Sequence, residues 1–351
     1  VKGRTGSETR RVFLGRSARA GAGLVLMSVI PSWALQARRH TRAYRERSFF
    51  TMGSVATISA YGESAVQIDQ AIRKVIEEFS RLDRLLSIYD PRSELSRINA
   101  AAGRETVCVH PEVLRLLKQM RQWSADTEGA FDMTVEPLMR LWGFRDRLRF
   151  LTPSDTEIRQ ALEAVGADRV HIDETLETVG LDHPAALLDS GGWGVGYAVD
   201  RAVEILRKEG IESAFVNHSG DARTFGIPDD SEGWIAGIPH PDNPTAMMRS
   251  FVLKDCAIST SGTYEKFVEL GEKQYGHLMD VLKGIPESDV ASMTVVAAES
   301  LKADVLSTAA ACRPGLLSPG RWDGIRFLMM KRNGNDLNVT QYLDGGVRLH
   351  E

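Results

Sequence analysis

Apolar positions Ile68, Ile72, Val75, Phe79, Leu82 and Leu86 advance in steps of four, three, four, three and four. That is one stripe on a long helix, with Arg, Lys and Glu on the opposite face. Ahead of it, alternation predicts a strand from about Val55 to Ala60. Behind it, Asp90-Pro91 begins a turn and Ser93 is placed to cap a short helix. A second helix is predicted from about Pro111 to Thr127, carrying Val113, Leu116, Leu117, Met120 and Trp123. Beyond Pro153 a further helix ends at Gly166. Strands are then expected at AALLD (185–189), SAFVN (213–217) and WIAGI (234–238), with two more around a turn in FVLKDCAIST (251–260). SMTVVAA (292–298), GIRFLMMKR (324–332) and VTQYL (339–343) are also strand-like. Helices are expected over residues 197–210, stopping at Gly210, and over SLKADVLSTAAAC (300–312). Meander-like strands mixed with helices indicate an α+β fold, a mixed sheet with packed helices in two closely joined lobes.

Composition narrows this only a little. The chain has 351 residues, 43% hydrophobic and 26% charged, ordinary for a globular protein with a substantial core. A net charge of −4 gives no reason to expect nucleic acid. Cys108, Cys256 and Cys312 are far apart and form no CxxC pair, which argues against a thiolate metal site or a disulfide framework. They read as small core residues.

The first residues carry a different signal. Thr9-Arg10-Arg11-Val12-Phe13-Leu14 precedes a weakly apolar stretch at 21–30, and Ser32-Trp33-Ala34 offers small residues at a cleavage site. This order is that of an export signal of the twin-arginine type, removed after Ala34. The apolar stretch is shorter than the roughly 20 residues a membrane span requires. Its loss removes Lys2, Arg4, Arg10, Arg11, Arg16 and Arg19 against Glu8 alone, leaving a more acidic protein, expected in the periplasm. Residues 35–48 are basic and aperiodic and read as a linker, so the domain is expected over 49–345.

Three stretches carry candidate chemistry. In DSGGWGVG, Gly191, Gly192, Gly194 and Gly196 precede an amphipathic helical run. The GxGxxG nucleotide spacing is not met. Two readings remain, a backbone cradle for an anion at a helix N-terminus and a tight turn with no ligand. In KADVLSTAAA, Asp304 and Thr308 stand four apart and share a helix face. A carboxylate and a hydroxyl are oxygen donors suited to Mg²⁺; the alternative is a solvated Asp beside a Thr bonded back to its helix. In TSGTYEKF and QYGHLMD, hydroxyls at Ser259, Thr260 and Ser261 are followed by His277 and Asp280. GxSxG and HExxH are absent.

Taken in order, these segments resemble the FAD:protein FMN transferase (ApbE-type) family. The likeness rests on MGSVATISAYG, LDRLLSIYDPRSELSRINAAAG, EGAFDMTVEPLMRLWGF, DSGGWGVGYAVD, VNHSGD, STSGTYEKF, HLMD and ADVLSTA, spanning about residues 47–345. It implies an Mg²⁺-dependent enzyme that takes FAD and joins its FMN half by a phosphodiester to a Thr or Ser hydroxyl of another protein, releasing AMP. The acceptor it implies is an exported or membrane electron-transfer subunit. By the same resemblance Asp304 and Thr308 hold the metal with a main-chain carbonyl near Gly194, and His277 serves the incoming hydroxyl. Met52, Tyr89, Trp142, Asp200, Asn217, Gly220 and Asp221 line the FAD site, with Thr260, Ser261 and Gly262 near the phosphates. Several positions depart from the family pattern. Trp193 and Val195 replace an aliphatic residue and a lysine in the glycine block, Ser190 replaces Leu, Ser219 the first Gly of Gly-Gly-Asp, and Val281 a Pro. The alternatives are an FAD-binding or flavin-donating protein without turnover, and an Mg²⁺-dependent FAD pyrophosphatase.

Overall fold

The computed structural model describes residues 42–146, 149, 151–264, 266–271, 273–318, 320–334, 336–343 and 348–349. The export signal and the first part of the basic linker lie outside them. The frame is an eight-stranded sheet of β1 (Ala43–Thr51), β2 (Ser54–Gly62), β3 (Ser213–His218), β4 (Asp221–Phe225), β5 (Ala257–Gly262), β6 (Val290–Ala297), β7 (Arg326–Asn333) and β8 (Asp336–Tyr342). Their spatial order is their chain order, and every neighbouring pair is antiparallel. The α+β expectation is met.

Seven helices complete the described residues: α1 (Ala65–Leu86), α2 (Glu94–Ala101), α3 (Pro111–Asp126), α4 (Glu136–Leu141), α5 (Asp155–Leu162), α6 (Gly194–Lys208) and α7 (Ser300–Cys312). Starts follow local chemistry: Ser64 and Ser93 accept from backbone N–H groups of α1 and α2, and Ser154 with Glu157 forms a capping box on α5. The α1 stripe buries Ile68, Ile72, Val75, Phe79 and Leu82 with Ile58 and Val216 of the sheet and Val199 and Val203 of α6. α7 is buried on nearly every side, from Leu301 through Ala311. Its alanines and serines let α6 and the sheet approach it closely.

The opposite sheet face is closed by an antiparallel ribbon, Trp234–His240 with Asn243–Leu253, through Trp234, Ile238 and Phe251 against Phe215, Ile258 and Leu328. Between β2 and β3 the chain builds a second lobe from α2–α5 and a three-stranded sheet. A small cluster there packs Trp142 and Leu138 on Val268, Leu270 and Met279, residues that belong to the segment between β5 and β6.

Three expectations are corrected. The stretch read as linker is strand from Ala43 onward, pairing residue for residue with β2. Alternation hid beneath its charges, because Arg45 and Arg47 lie along Asp69 of α1 while Phe49 meets Phe79 edge-on. AALLD is extended but joins no sheet. Its backbone is satisfied by the Asn99 amide, which bonds both the N–H and the C=O of Leu188, and by Met133 O, which accepts from Asp189 N–H. Cys108 is exposed, while Cys256 and Cys312 are part-buried and all three are unpaired thiols.

Candidate active site

The glycine block is first of all a packing device. A Cβ on Gly196 would stand 2.8 Å from Asp304 Cβ and 2.8 Å from Ser300 O, and one on Gly192 would stand 3.2 Å from Thr308 Oγ1. Two glycines four apart on one strand of chain thus meet two side chains four apart on α7, in reverse order. Any larger residue at 196 would push α7 away. Gly196 N–H, one of the free donors of the first turn of α6, is bonded to Asp304 Oδ2 at 3.1 Å. That donor serves the carboxylate, so the simple phosphate-cradle reading does not hold at Gly196. Asp304 is 4% exposed.

A hydroxyl chain extends the same cluster. Ser261 Oγ lies 2.8 Å from Ser307 Oγ and 3.5 Å from Thr308 Oγ1, Ser259 Oγ lies 3.0 Å from Ser307 Oγ, and Ser307 donates to Asp304 O. Gly194 opens α6, and the place of its absent Cβ is 4.0 Å from Met52 Cε. The structure therefore brings Met52, Gly194, Ser261, Asp304 and Thr308 together. Among the described residues no cluster of three His, Cys, Asp or Glu side chains exists. The donor set at Asp304, Thr308 and Ser261 is one carboxylate and two hydroxyls, all oxygen, which fits Mg²⁺ completed by water and phosphate oxygens.

Strand alternation divides the remaining predicted residues. Phe215 meets Trp234 on one face, while Val216 and His218 turn toward α1, where His218 stacks on Phe79. Asn217 therefore shares the Trp234 face. Thr260 does too, since its neighbours Ser259 and Ser261 reach α7 and its own hydroxyl bonds Thr294 at 2.9 Å. Of the three residues expected near phosphate, Ser261 reaches the Asp304 cluster and Thr260 does not. Gly262 is held against Tyr264, whose ring stands 2.5 Å from where a Cβ would lie. Asp221 is on the α7 side. Burial raises its pKa to about 7, with a bond from Ser259 opposing and the Asp200 charge adding to the rise.

The Asp221 shift has a consequence for pH. With its pKa raised to about 7, native Asp221 holds its proton well above the ordinary carboxylate range of about 4. Between those values the folded chain binds more protons, so this group's contribution to stability falls as pH rises from about 4 to 7 and is level above. Asp221→Asn is expected to melt higher than the parent at pH 8 and to lose that advantage at pH 4. Equal melting differences at both values would refute it.

The β3–β4 turn is Ser219-Gly220, at φ 54° and 100°. The left-handed conformation is costly for serine. Asn217 Oδ1, His218 Nδ1 and Ser219 Oγ are buried without partners among the described residues. His218 faces α1, whereas the Asn217 and Ser219 atoms at the turn suit a site whose ligand supplies the partners. Ser219→Gly is expected to stabilise the free protein by about 1 kcal/mol, from relieved strain and one fewer orphaned hydroxyl. That is a rise of about 2 °C in melting temperature; a fall would show that the turn needs the serine.

Two predicted ligand residues are structural. Trp142 is 4% exposed, donates from Nε1 to Gly284 O at 2.9 Å and rests on Tyr275, so its ring is core. It anchors the segment that carries His277. Asp200 accepts from Ser300 N–H at 2.8 Å and Leu301 N–H at 2.9 Å and pairs with Arg223 at 2.6 Å, capping α7. Tyr89, by contrast, is 73% exposed, with its hydroxyl accepting from Arg145 at 3.0 Å and the guanidinium 5.8 Å from its ring centre. Arg145 itself went unnoticed in the sequence. It also bonds Glu136 at 2.6 Å and Asp189 at 2.8 Å, tying the Tyr89 loop, α4 and the glycine block together. Trp193, next to those glycines, turns into the second lobe's core and donates to Asp189 O.

His277 flanks a short ribbon, Phe267–Leu270 with Lys273–Gly276. Its N–H donates to Lys266 O at 2.9 Å, and its Nδ1 is buried without a described partner. Burial, then the charges of Lys266 and Arg145, lower its pKa to about 3. The free imidazole is neutral at physiological pH.

The ApbE family profile matches residues 52–315, and the chain belongs to that family. An FAD:protein FMN transferase of Klebsiella pneumoniae is 30% identical over 262 residues, covering 73% of this chain and 78% of that protein. One from Vibrio cholerae is 29% identical over 74% of this chain and 78% of its own length. Among solved structures, the ApbE protein of Thermotoga maritima superposes with a TM-score of 0.77 at 29% identity, over 85% of this chain and 97% of that one. The apo flavinyl transferase ApbE of Pseudomonas stutzeri gives 0.75 at 29% identity, over 87% and 96%.

Proposed function

We propose that the protein is an Mg²⁺-dependent FAD:protein FMN transferase. The acceptor hydroxyl, from Thr or Ser, attacks the FMN-side phosphorus. The bond to the AMP phosphate breaks, and AMP leaves. The observation that carries this reading is the reciprocal packing of Gly192 and Gly196 on Thr308 and Asp304, which sets one carboxylate and one hydroxyl side by side with Ser261 adjoining. Mg²⁺ held there supplies charge neutralisation for the diphosphate. The chain's own contributions are distinct. Tyr89, oriented by Arg145, offers an exposed ring to the flavin. The orphaned atoms of the 217–219 turn offer polar contacts. His277 receives the hydroxyl proton; burial holds its basicity down first, and an arriving diphosphate would offset the smaller part due to Lys266 and Arg145.

The acceptor we propose is an exported or membrane electron-transfer subunit, met in the periplasm after twin-arginine export. This rests on the Arg10-Arg11 segment. Binding without turnover is the second reading, favoured by Val195, whose side chain packs with the α1 core and offers no charge.

The test is incubation with FAD, Mg²⁺ and an acceptor domain bearing a Ser/Thr site, followed by in-gel flavin fluorescence. Covalent flavin on the acceptor with AMP released is the expected result. Free FMN and AMP without labelling would make it a pyrophosphatase, and FAD retention with neither product would make it a carrier.

A further inference from the structure

We propose that Lys266 supplies, from the His277 side of the site, the positive charge that Val195 leaves out of the glycine block, and so serves as a phosphate-binding cation of this chain. The inference rests on the flavin-transferase reading and deepens it.

The geometry begins with the ribbon. Phe267 pairs with Gly276, and the next residues outward, Lys266 and His277, are joined by the His277 N–H bond to Lys266 O. Directly opposed residues of an antiparallel ribbon send their side chains to the same face. Lys266 thus accompanies His277 wherever the ribbon places it. Its charge acts on two histidines on separate elements, His277 after the ribbon and His218 at the β3–β4 turn. The ribbon position it shares with His277 sets Lys266 on the face that carries the proposed base.

Availability separates this lysine from the other cation near His277. Arg145 is held by Glu136 and Asp189, which cancel its charge and fix its fork. Lys266 is exposed, and no carboxylate of the described residues pairs with it. Position 195 is apolar and partly buried against the core that α1 and α6 share. Of the two cations that act on His277, only Lys266 is free to meet a diphosphate. Such a lysine serves two purposes. It offsets phosphate charge, and until phosphate arrives it adds to the burial that keeps the imidazole neutral.

The test uses the full chain and metal-free ADP as the probe, with nuclear magnetic resonance to follow His277. The charged groups acting on that ring are Lys266 from the ribbon and Arg145 from the segment after α4. Lys266→Ala is expected to weaken ADP binding about tenfold. It should raise the His277 titration by about half a pH unit or more and abolish most of the upward shift that ADP causes in the parent. Lys266→Arg should retain both properties. Unchanged ADP affinity and an unmoved His277 titration in Lys266→Ala, at unaltered melting temperature, would overturn the proposal. A parent protein that binds ADP through Lys266 but labels no acceptor would sink the transferase reading and leave the cation assignment standing.

Discussion

Asp304→Asn is expected to reduce Mg²⁺-dependent FMN transfer by about a thousandfold or more while the protein stays folded. The choice of asparagine matters. Asp304 is nearly fully buried, lies against the bare Gly196 backbone and accepts its N–H at 3.1 Å. Alanine would leave that donor orphaned, at a cost of about 1–3 kcal/mol, and would mix instability with lost chemistry. Asparagine keeps the volume and an accepting oxygen and removes only the charge on which a divalent ion depends. The measurement is acceptor labelling across a range of Mg²⁺ concentrations, beside a melting curve. Near-parental labelling at saturating Mg²⁺ would remove Asp304 from the metal site.

The second large effect is expected at His277. His277→Ala should slow transfer by about 10²–10⁴-fold, the usual range for a positioned general base, and leave FAD affinity nearly unchanged. The imidazole makes no side-chain bond within the described protein, and its backbone N–H to Lys266 O survives the substitution. The ribbon should therefore keep its shape. A drop in FAD affinity equal to the drop in rate would mean that His277 holds the substrate and takes no proton. Raising the pH should restore part of the rate if an ionised acceptor hydroxyl replaces the missing base.

Much of this was legible in the chain because it depends on local periodicity. The α1 stripe and the α7 sequence stand where spacing placed them, and Ser93 caps α2 as expected. The Asp304–Thr308 pairing was visible because residues four apart on a helix must share a face. What stayed hidden depends on partners distant in sequence. Asp200 looks like a ligand until its oxygens are seen on the N–H groups of Ser300 and Leu301, a hundred residues away. Trp142 looks like a stacking surface until Gly284 and Tyr275 cover it. Thr260 and Ser261 are adjacent in sequence, and only the sheet shows which one turns to α7. The glycines left a ligand cradle and an empty turn both open, and two of them prove to be room for a helix.

The arrangement of the sheet also bears on how the molecule is made. β4 through β8 are laid down as successive neighbours, but β2 must find β3 across all of residues 63–212. Closing so long a loop is costly before its contacts repay it, so the pairing of those two strands is expected to come late. The Thr51–Met52 corner and the Ser219 turn come together only with that last pairing, through the contact of His218 with Thr51 O. The turn that carries the orphaned polar atoms is therefore expected to be among the last parts of the chain to take shape.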